Sequence, residues 1–288
     1  MRVDLLAGTL YQAGTVPPMK QHPTVLVFDS GLGGLTVFRE AVKARPDARF
    51  VYAADDAAFP YGRFDEASLV TRILTVMERL ISRHAPDLVV VACNTASTIA
   101  LPALRARFTV PFVGTVPAVK PAAEASQSRL ISVLGTPGTV KREYTAALIR
   151  EFAAGCDVTL VGAPRLAALA EAALRGDAVS DADLLAEIAP CFVEKGGRRT
   201  DVVTLSCTHY PLVRDRLEKL APWPVRWIDP APAIARRMAS LMPQAIATDP
   251  APHALAVFTG GQMAQDGLGA ALKTFGLDAI TIDPLPLH

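Results

Sequence analysis

The sequence predicts an α/β protein made of two similar doubly wound domains, with largely parallel sheets facing each other across a cleft. Three observations predict it. Short apolar runs recur along the chain and alternate with stretches of helical spacing. Runs such as LVVVAC (88–93) are apolar throughout, as central strands covered on both faces are. One pattern, an apolar strand ending in Cys followed by a helix-like segment, occurs twice, at 89–100 and 202–218.

In chain order, MRVDLLAGTLYQAGTVPPMK has an apolar stretch too short and interrupted for a secretory signal. Residues 1–22 are therefore expected to be a disordered extension, with Met19 an alternative start. TVLVFD (24–29) is the first strand, and the glycines of GLGGLT turn it into a helix beginning at Leu35. RFVYAAD (49–55) is the second, followed by a turn, AFPYGR (58–63), in which Pro60 fixes the backbone and Gly62 allows close approach to a ligand. Leu69, Ile73, Met77, Leu80 and Ile81 recur at three and four residues and predict a helix over 65–84. After LVVVAC, Asn94 and Thr95 can cap the next helix.

PFVGTV (111–116) precedes a break in TVPAVKPAAEASQS (115–128), and APWPV (221–225) makes a second break. Between them lie RLISVLGT (129–136), DVTLVG (157–162) and DVVTLS (201–206); beyond them lie VRWID (225–229), LAVFTG (255–260) and AITID (279–283). The expected domains are 23–118 plus 225–288, with 119–224 inserted as the second.

Composition narrows the function. The 29 basic residues nearly cancel the 28 acidic ones, so no global field argues for nucleic acid or an anionic membrane as partner, and a small polar substrate is expected. No apolar run is long enough to span a bilayer. Four cysteines without a Cys-x-x-Cys pair read as reduced thiols of a cytoplasmic protein.

Ligands of open α/β sheets bind beyond the carboxyl ends of the strands, and Cys93 and Cys207 both sit there. Helix starts behind them would favour thiolate and an anionic ligand. Cys156 and Cys191 lack that context and read as packing residues. His209, two residues after Cys207, can polarise that thiol or hold a substrate acid. GLGGLT lacks the last glycine of a dinucleotide loop, so no nicotinamide cofactor is expected.

A zinc site from Cys93, Cys207 and His209 lacks the usual spacing, so no metal is expected. A thiol hydrolase would leave one cysteine without a role. Two thiols suit removal of a proton from one face of a carbon acid and return of a proton to the other. No lysine stands at a comparable strand end to carry pyridoxal chemistry.

FDSGLGGLTV (28–37), PYG (60–62), ACNTAS (92–97), GTPGTV (135–140) and CTHYPL (207–212) occur in the order found in the glutamate racemases of the aspartate/glutamate racemase superfamily, which the chain from about residue 24 onward resembles. The resemblance implies cofactor-independent racemisation of glutamate enclosed between two domains, serving peptidoglycan synthesis in a bacterium, and a homodimer as a common assembly. It implies that Cys93 takes the α-proton from D-glutamate, assisted by Asp29, and Cys207 takes it from L-glutamate, assisted by His209. It places Ser30, Tyr61, Gly62, Asn94, Thr95 and Thr208 on the substrate's charged groups, with Thr136 and Thr139 as further donors and Glu171 at the site.

The chain departs from the family pattern at Ala54–Phe59, where Gly-Asp-Thr-Ala-Arg is usual before Pro-Tyr-Gly, and at Ala163 and Ser206, where cysteine and glycine are usual. These positions border the pocket, so they bear on selectivity: aspartate or another acidic amino acid is the alternative substrate. A binding protein that lost the chemistry is the rival reading outside catalysis, and a one-thiol decarboxylase is a rival within it. The presence of both cysteines argues against each.

Overall fold

Every apolar run that predicts a strand forms one. The computed structural model describes residues 22–242, 254–260 and 268–285; Met19 and all of the expected extension except His22 lie outside them. The elements run Thr24–Asp29 (β1), Leu35–Ala44 (α1), Arg49–Ala54 (β2), Glu66–His84 (α2), Leu88–Val91 (β3), Asn94–Arg107 (α3), Phe112–Gly114 (β4) and Val119–Ala125 (α4). Then come Leu130–Gly135 (β5), Pro137–Val140 (α5), Glu143–Phe152 (α6), Asp157–Gly162 (β6), Leu166–Arg175 (α7), Asp181–Ile188 (α8), Glu194–Lys195 (β7), Arg198–Arg199 (β8) and Val202–Ser206 (β9). Arg214–Leu220 (α9), Arg226–Ile228 (β10), Ala231–Leu241 (α10), Ala254–Phe258 (β11), Leu268–Thr274 (α11) and Leu277–Ile282 (β12) complete the described chain.

The first sheet has the order β12-β11-β2-β1-β3-β4 and the second β10-β9-β5-β6, each built from parallel pairs. β1, at the centre of the larger sheet, is buried along its whole length because apolar layers cover both faces. On one face α1 and α10 pack through Phe38, Ile234 and Met238; on the other, α2 contributes Leu69, Ile73 and Met77. Each such side chain stabilises the fold by roughly 1.5–3 kcal/mol relative to exposure. Asp65 begins α2 by accepting from Ser68 N, and Ala85 ends it in the left-handed region at φ 42°.

Three differences from the sequence reading have physical causes. β10 pairs with β9, Arg226 opposite Val202, so it belongs with the second sheet, whereas the break at 221–225 had put 225 onward in the first unit. The proline-rich turn in APWPV is the loop from α9 into that edge strand. We propose that the chain returns to the first domain after Ile228, where α10 packs on α1. The hairpin β7–β8 carries no hydrophobic signal, because its strands are two exposed residues each. Its mark is Gly196-Gly197, both at positive φ, as a two-residue turn between twisted strands requires. The repeated strand-cysteine pattern also diverges after the cysteines: α3 starts at Asn94, but Pro211 lies in a 3-10 turn, Tyr210–Val213, that delays α9 to Arg214.

Candidate active site

Cys93 follows β3 and caps α3, its Sγ accepting from Ala96 N at 3.5 Å. Cys207 follows β9 in the other sheet. Both line one small cavity of about 30 Å³, room for only about two waters, together with Ser30, Tyr61, Gly62, Asn94, Thr95, Thr136, Thr208 and His209. The two strand ends therefore bring their thiols to a single space between the sheets.

Around Cys93 the partners are acidic and hydroxylic. Ser30 Oγ lies 3.8 Å from its sulfur. Asp29, the last residue of β1, is fully buried; it accepts from Ser30 N at 2.8 Å, from Gly34 N, and from Thr208 Oγ1 at 3.4 Å. Burial raises the Asp29 carboxyl above its usual value against the opposing pull of His209. Burial, reinforced by the Asp29 charge, also pushes the Cys93 thiol well up. The expectation that the helix start would hold this sulfur as thiolate is corrected: one N–H from Ala96 does not offset burial and the Asp29 charge.

Around Cys207 the partners are an imidazole and a carboxylate. Its sulfur lies 3.7 Å from His209 Nδ1, and His209 Nε2 faces Glu171 Oε2 at 3.3 Å, at ion-pair distance but without hydrogen-bond alignment. Burial pulls the His209 pKa down, yet the Cys207 sulfur and the Glu171 carboxylate together hold it well above the ordinary histidine value. The ring of Phe59 packs against it at 5.4 Å. Glu171 in turn accepts from Leu32 N at 3.3 Å and pairs with Arg175 at 3.5 Å. It thus ties α7 of the second sheet to the glycine turn of the first.

That turn is a packing device. A Cβ on Gly33 would sit 2.3 Å from His209 Nδ1 and 2.6 Å from the His209 backbone nitrogen, so only glycine lets the two halves approach so closely. Thr36 Oγ1 donates to Thr208 O at 3.1 Å across the same junction.

Asp29, Thr139 and Glu171 do not line the cavity; they lie behind residues that do. Thr139 is fully buried, its amide and hydroxyl engaged with Thr136 Oγ1 at 3.2 and 2.9 Å. The Tyr61 hydroxyl donates to Asp55 at 2.8 Å. Both amide atoms of Asn94 are buried without a protein partner, as befits a group that meets a polar ligand. Phe59, Pro60 and Ala167 complete the lining; Pro60 opens the PYG motif and Phe59 precedes it, whereas nothing in the sequence marks Ala167. Cys191 is a packing residue, its thiol pushed by burial up to about 12. Among the described residues no cluster of His, Cys, Asp and Glu could hold a metal ion, and no helix is long and apolar enough to cross a membrane.

Known proteins share much of this sequence and its fold. The chain is 57% identical to glutamate racemase of Brucella ovis over 238 residues, 82% of this chain and 85% of the relative. It is 56% identical to that of Mesorhizobium japonicum over 255 residues, 88% and 97% of the two chains. The fold matches Escherichia coli glutamate racemase, solved with L-glutamate and the activator UDP-MurNAc-Ala, with a TM-score of 0.83 and 40% identity over 91% of this chain and 98% of that one. Two thiols on facing parallel sheets are therefore the setting in which residues 34–238 match the Asp/Glu/Hydantoin racemase family, and the chain belongs to that family.

Proposed function

We propose that the protein interconverts L- and D-glutamate without a cofactor by proton transfer between two cysteines, and that in a bacterial cytoplasm it supplies D-glutamate for peptidoglycan. The observation that carries the reading is the placement of Cys93 and Cys207 at strand ends of different sheets, lining one cavity. Relatives named glutamate racemase support the choice of substrate.

In the L to D direction Cys207, as thiolate, takes the α-proton. The Cys93 thiol, kept protonated by burial and Asp29, delivers its proton to the opposite face of the carbanion. The product leaves Cys207 as thiol and Cys93 as thiolate, and proton exchange with solvent resets the pair. From D-glutamate the roles reverse: the substrate's ammonium group supplies the positive charge that makes a Cys93 thiolate accessible, and cationic His209 can hand a proton toward Cys207 as that thiol is spent. Hydrogen bonds from Asn94 and Thr95 at the start of α3, and from Thr208, would hold the substrate's carboxylate as charge develops beside it.

The test is incubation of purified protein with L-glutamate in deuterated water, following optical rotation and the α-proton NMR signal. Rotation decaying to zero with deuterium entering at Cα is the expected result. Racemisation of aspartate in preference to glutamate would change the substrate, and no exchange with any acidic amino acid would end the reading.

A further inference from the structure

Asp55 follows β2 directly, is fully buried, and accepts a hydrogen bond from one residue of the cavity lining, Tyr61. Its carboxylate is saturated. Oδ1 accepts from Arg72 Nη2 at 2.6 Å and from Thr259 Oγ1 at 2.6 Å; Oδ2 accepts from Arg72 Nε at 3.0 Å and from the Tyr61 hydroxyl at 2.8 Å. Arg72, on α2, also donates to Leu285 O at 2.5 Å. Thr259 N donates to Ala54 O at 3.2 Å, and Asp55 N to Asp29 O at 2.9 Å. Segments distant in sequence thus converge on one carboxylate, and one of its four donors forms part of the site wall.

A phenol has a single proton to donate, and Tyr61 directs its proton to Asp55. The exposed Gly62 beside it has no side chain, and a Cβ there would meet nothing within 4 Å, so this part of the wall is held through its neighbour. A bidentate guanidinium on a buried carboxylate is geometrically fixed. Through it the wall is tied to α2 and to the end of β11.

We infer that Arg72 and Thr259 are positioning residues for the racemisation: by orienting the Asp55 carboxylate they hold Tyr61, and with it the Pro60–Gly62 backbone that faces the substrate. Tyr61 then serves the substrate through the placement of this backbone, and its hydroxyl serves the network. The inference rests on the proposed reaction.

The experiment measures KM and kcat for L-glutamate in wild type, Thr259→Val, Tyr61→Phe, Arg72→Lys and the double variant Thr259→Val/Tyr61→Phe. Each single variant is expected to raise KM about five- to tenfold with kcat within about twofold, because the loss falls on ground-state binding. The double variant should fall well short of the product of its two singles, because both donors act on one carboxylate. A purely structural role would lower the amount of active enzyme and leave KM unmoved, which would overturn the inference. So would a raised KM in Tyr61→Phe alone, since the hydroxyl would then be acting on the substrate directly. Wild type that fails to racemise glutamate would overturn the reaction and this inference together, whereas an active wild type with unmoved variants would overturn only the network.

Discussion

Cys93 and Cys207 occupy matching places at two strand ends, but one sulfur faces an acid and a hydroxyl and the other an imidazole. Replacing either by serine is expected to lower racemisation by at least about 10²-fold, the usual weight of a general acid or base. The fold should persist, because the change is one buried atom of similar size. Residual α-deuterium exchange should then be confined to D-glutamate in Cys207→Ser and to L-glutamate in Cys93→Ser, as NMR of the two enantiomers would show. His209 carries a pH signature. Its folded-state value lies above the ordinary one, so its protonated form contributes stability in full below about pH 6.5, and that contribution is lost as pH rises through the raised value. Denaturant midpoints of wild type and His209→Asn are expected to differ most at and below about pH 6.5 and to converge on the alkaline side. Cys207 and Glu171, which flank the ring, set the sign.

At the scale of elements, the glycine turn between β1 and α1 determines how closely the two halves of the site meet. Gly33→Ala places a methyl against His209 and its backbone, so the turn, the ring or both must move. A shift of this kind is expected to lower kcat by about 10²-fold, since misplacement by an ångström costs that much, while L-glutamate binding weakens less. Steady-state kinetics with calorimetric binding would separate the two. α10 illustrates the opposite case, an element whose value lies in packing alone. Met238 is fully buried between α10, α1 and the first sheet, so Met238→Ala is expected to cost about 2–5 kcal/mol in urea unfolding with KM unchanged.

At the scale of the molecule, the cavity that both thiols line is only about 30 Å³, so binding of an amino acid there is expected to change the spacing of the two sheets. Arg142 and Glu66 form an ion pair at 2.9 Å between the start of α6 and the start of α2, bridging the two sheets' helices. Glu66 is largely exposed, and such pairs stabilise by only about 0–1 kcal/mol, so the buried contacts Glu171–Leu32 and Thr36–Thr208 carry more of the junction between the halves. Closure around the ligand should therefore be visible as ligand-linked stability. L-glutamate at about a hundred times its Kd is expected to stabilise the protein by about 2.7 kcal/mol, with D-glutamate doing the same and uncharged amino acids doing nothing, in thermal or denaturant unfolding.

The strands, their parallel order of occurrence and the two thiols were legible in the sequence because each depends on a local pattern. LVVVAC is apolar at every position since β3 is covered on both faces, and a cysteine directly after such a run must lie at a sheet's carboxyl edge. The assignment of Arg226–Ile228 to the second sheet was not legible, because strand pairing is a contact between distant segments and leaves no local mark. Nor was the ionisation of Cys93: the capping N–H is written in ACNTAS, but the burial and the Asp29 charge that outweigh it come from other strands. Glu171 behind His209, Tyr61 turned to Asp55, and Arg72 and Thr259 gathered on that acid are likewise products of folding. The sequence by itself determined which chemical groups stand at the strand ends. The tertiary structure alone decided which of them face one another and how far each is removed from water, because distance and desolvation are properties of the packed chain.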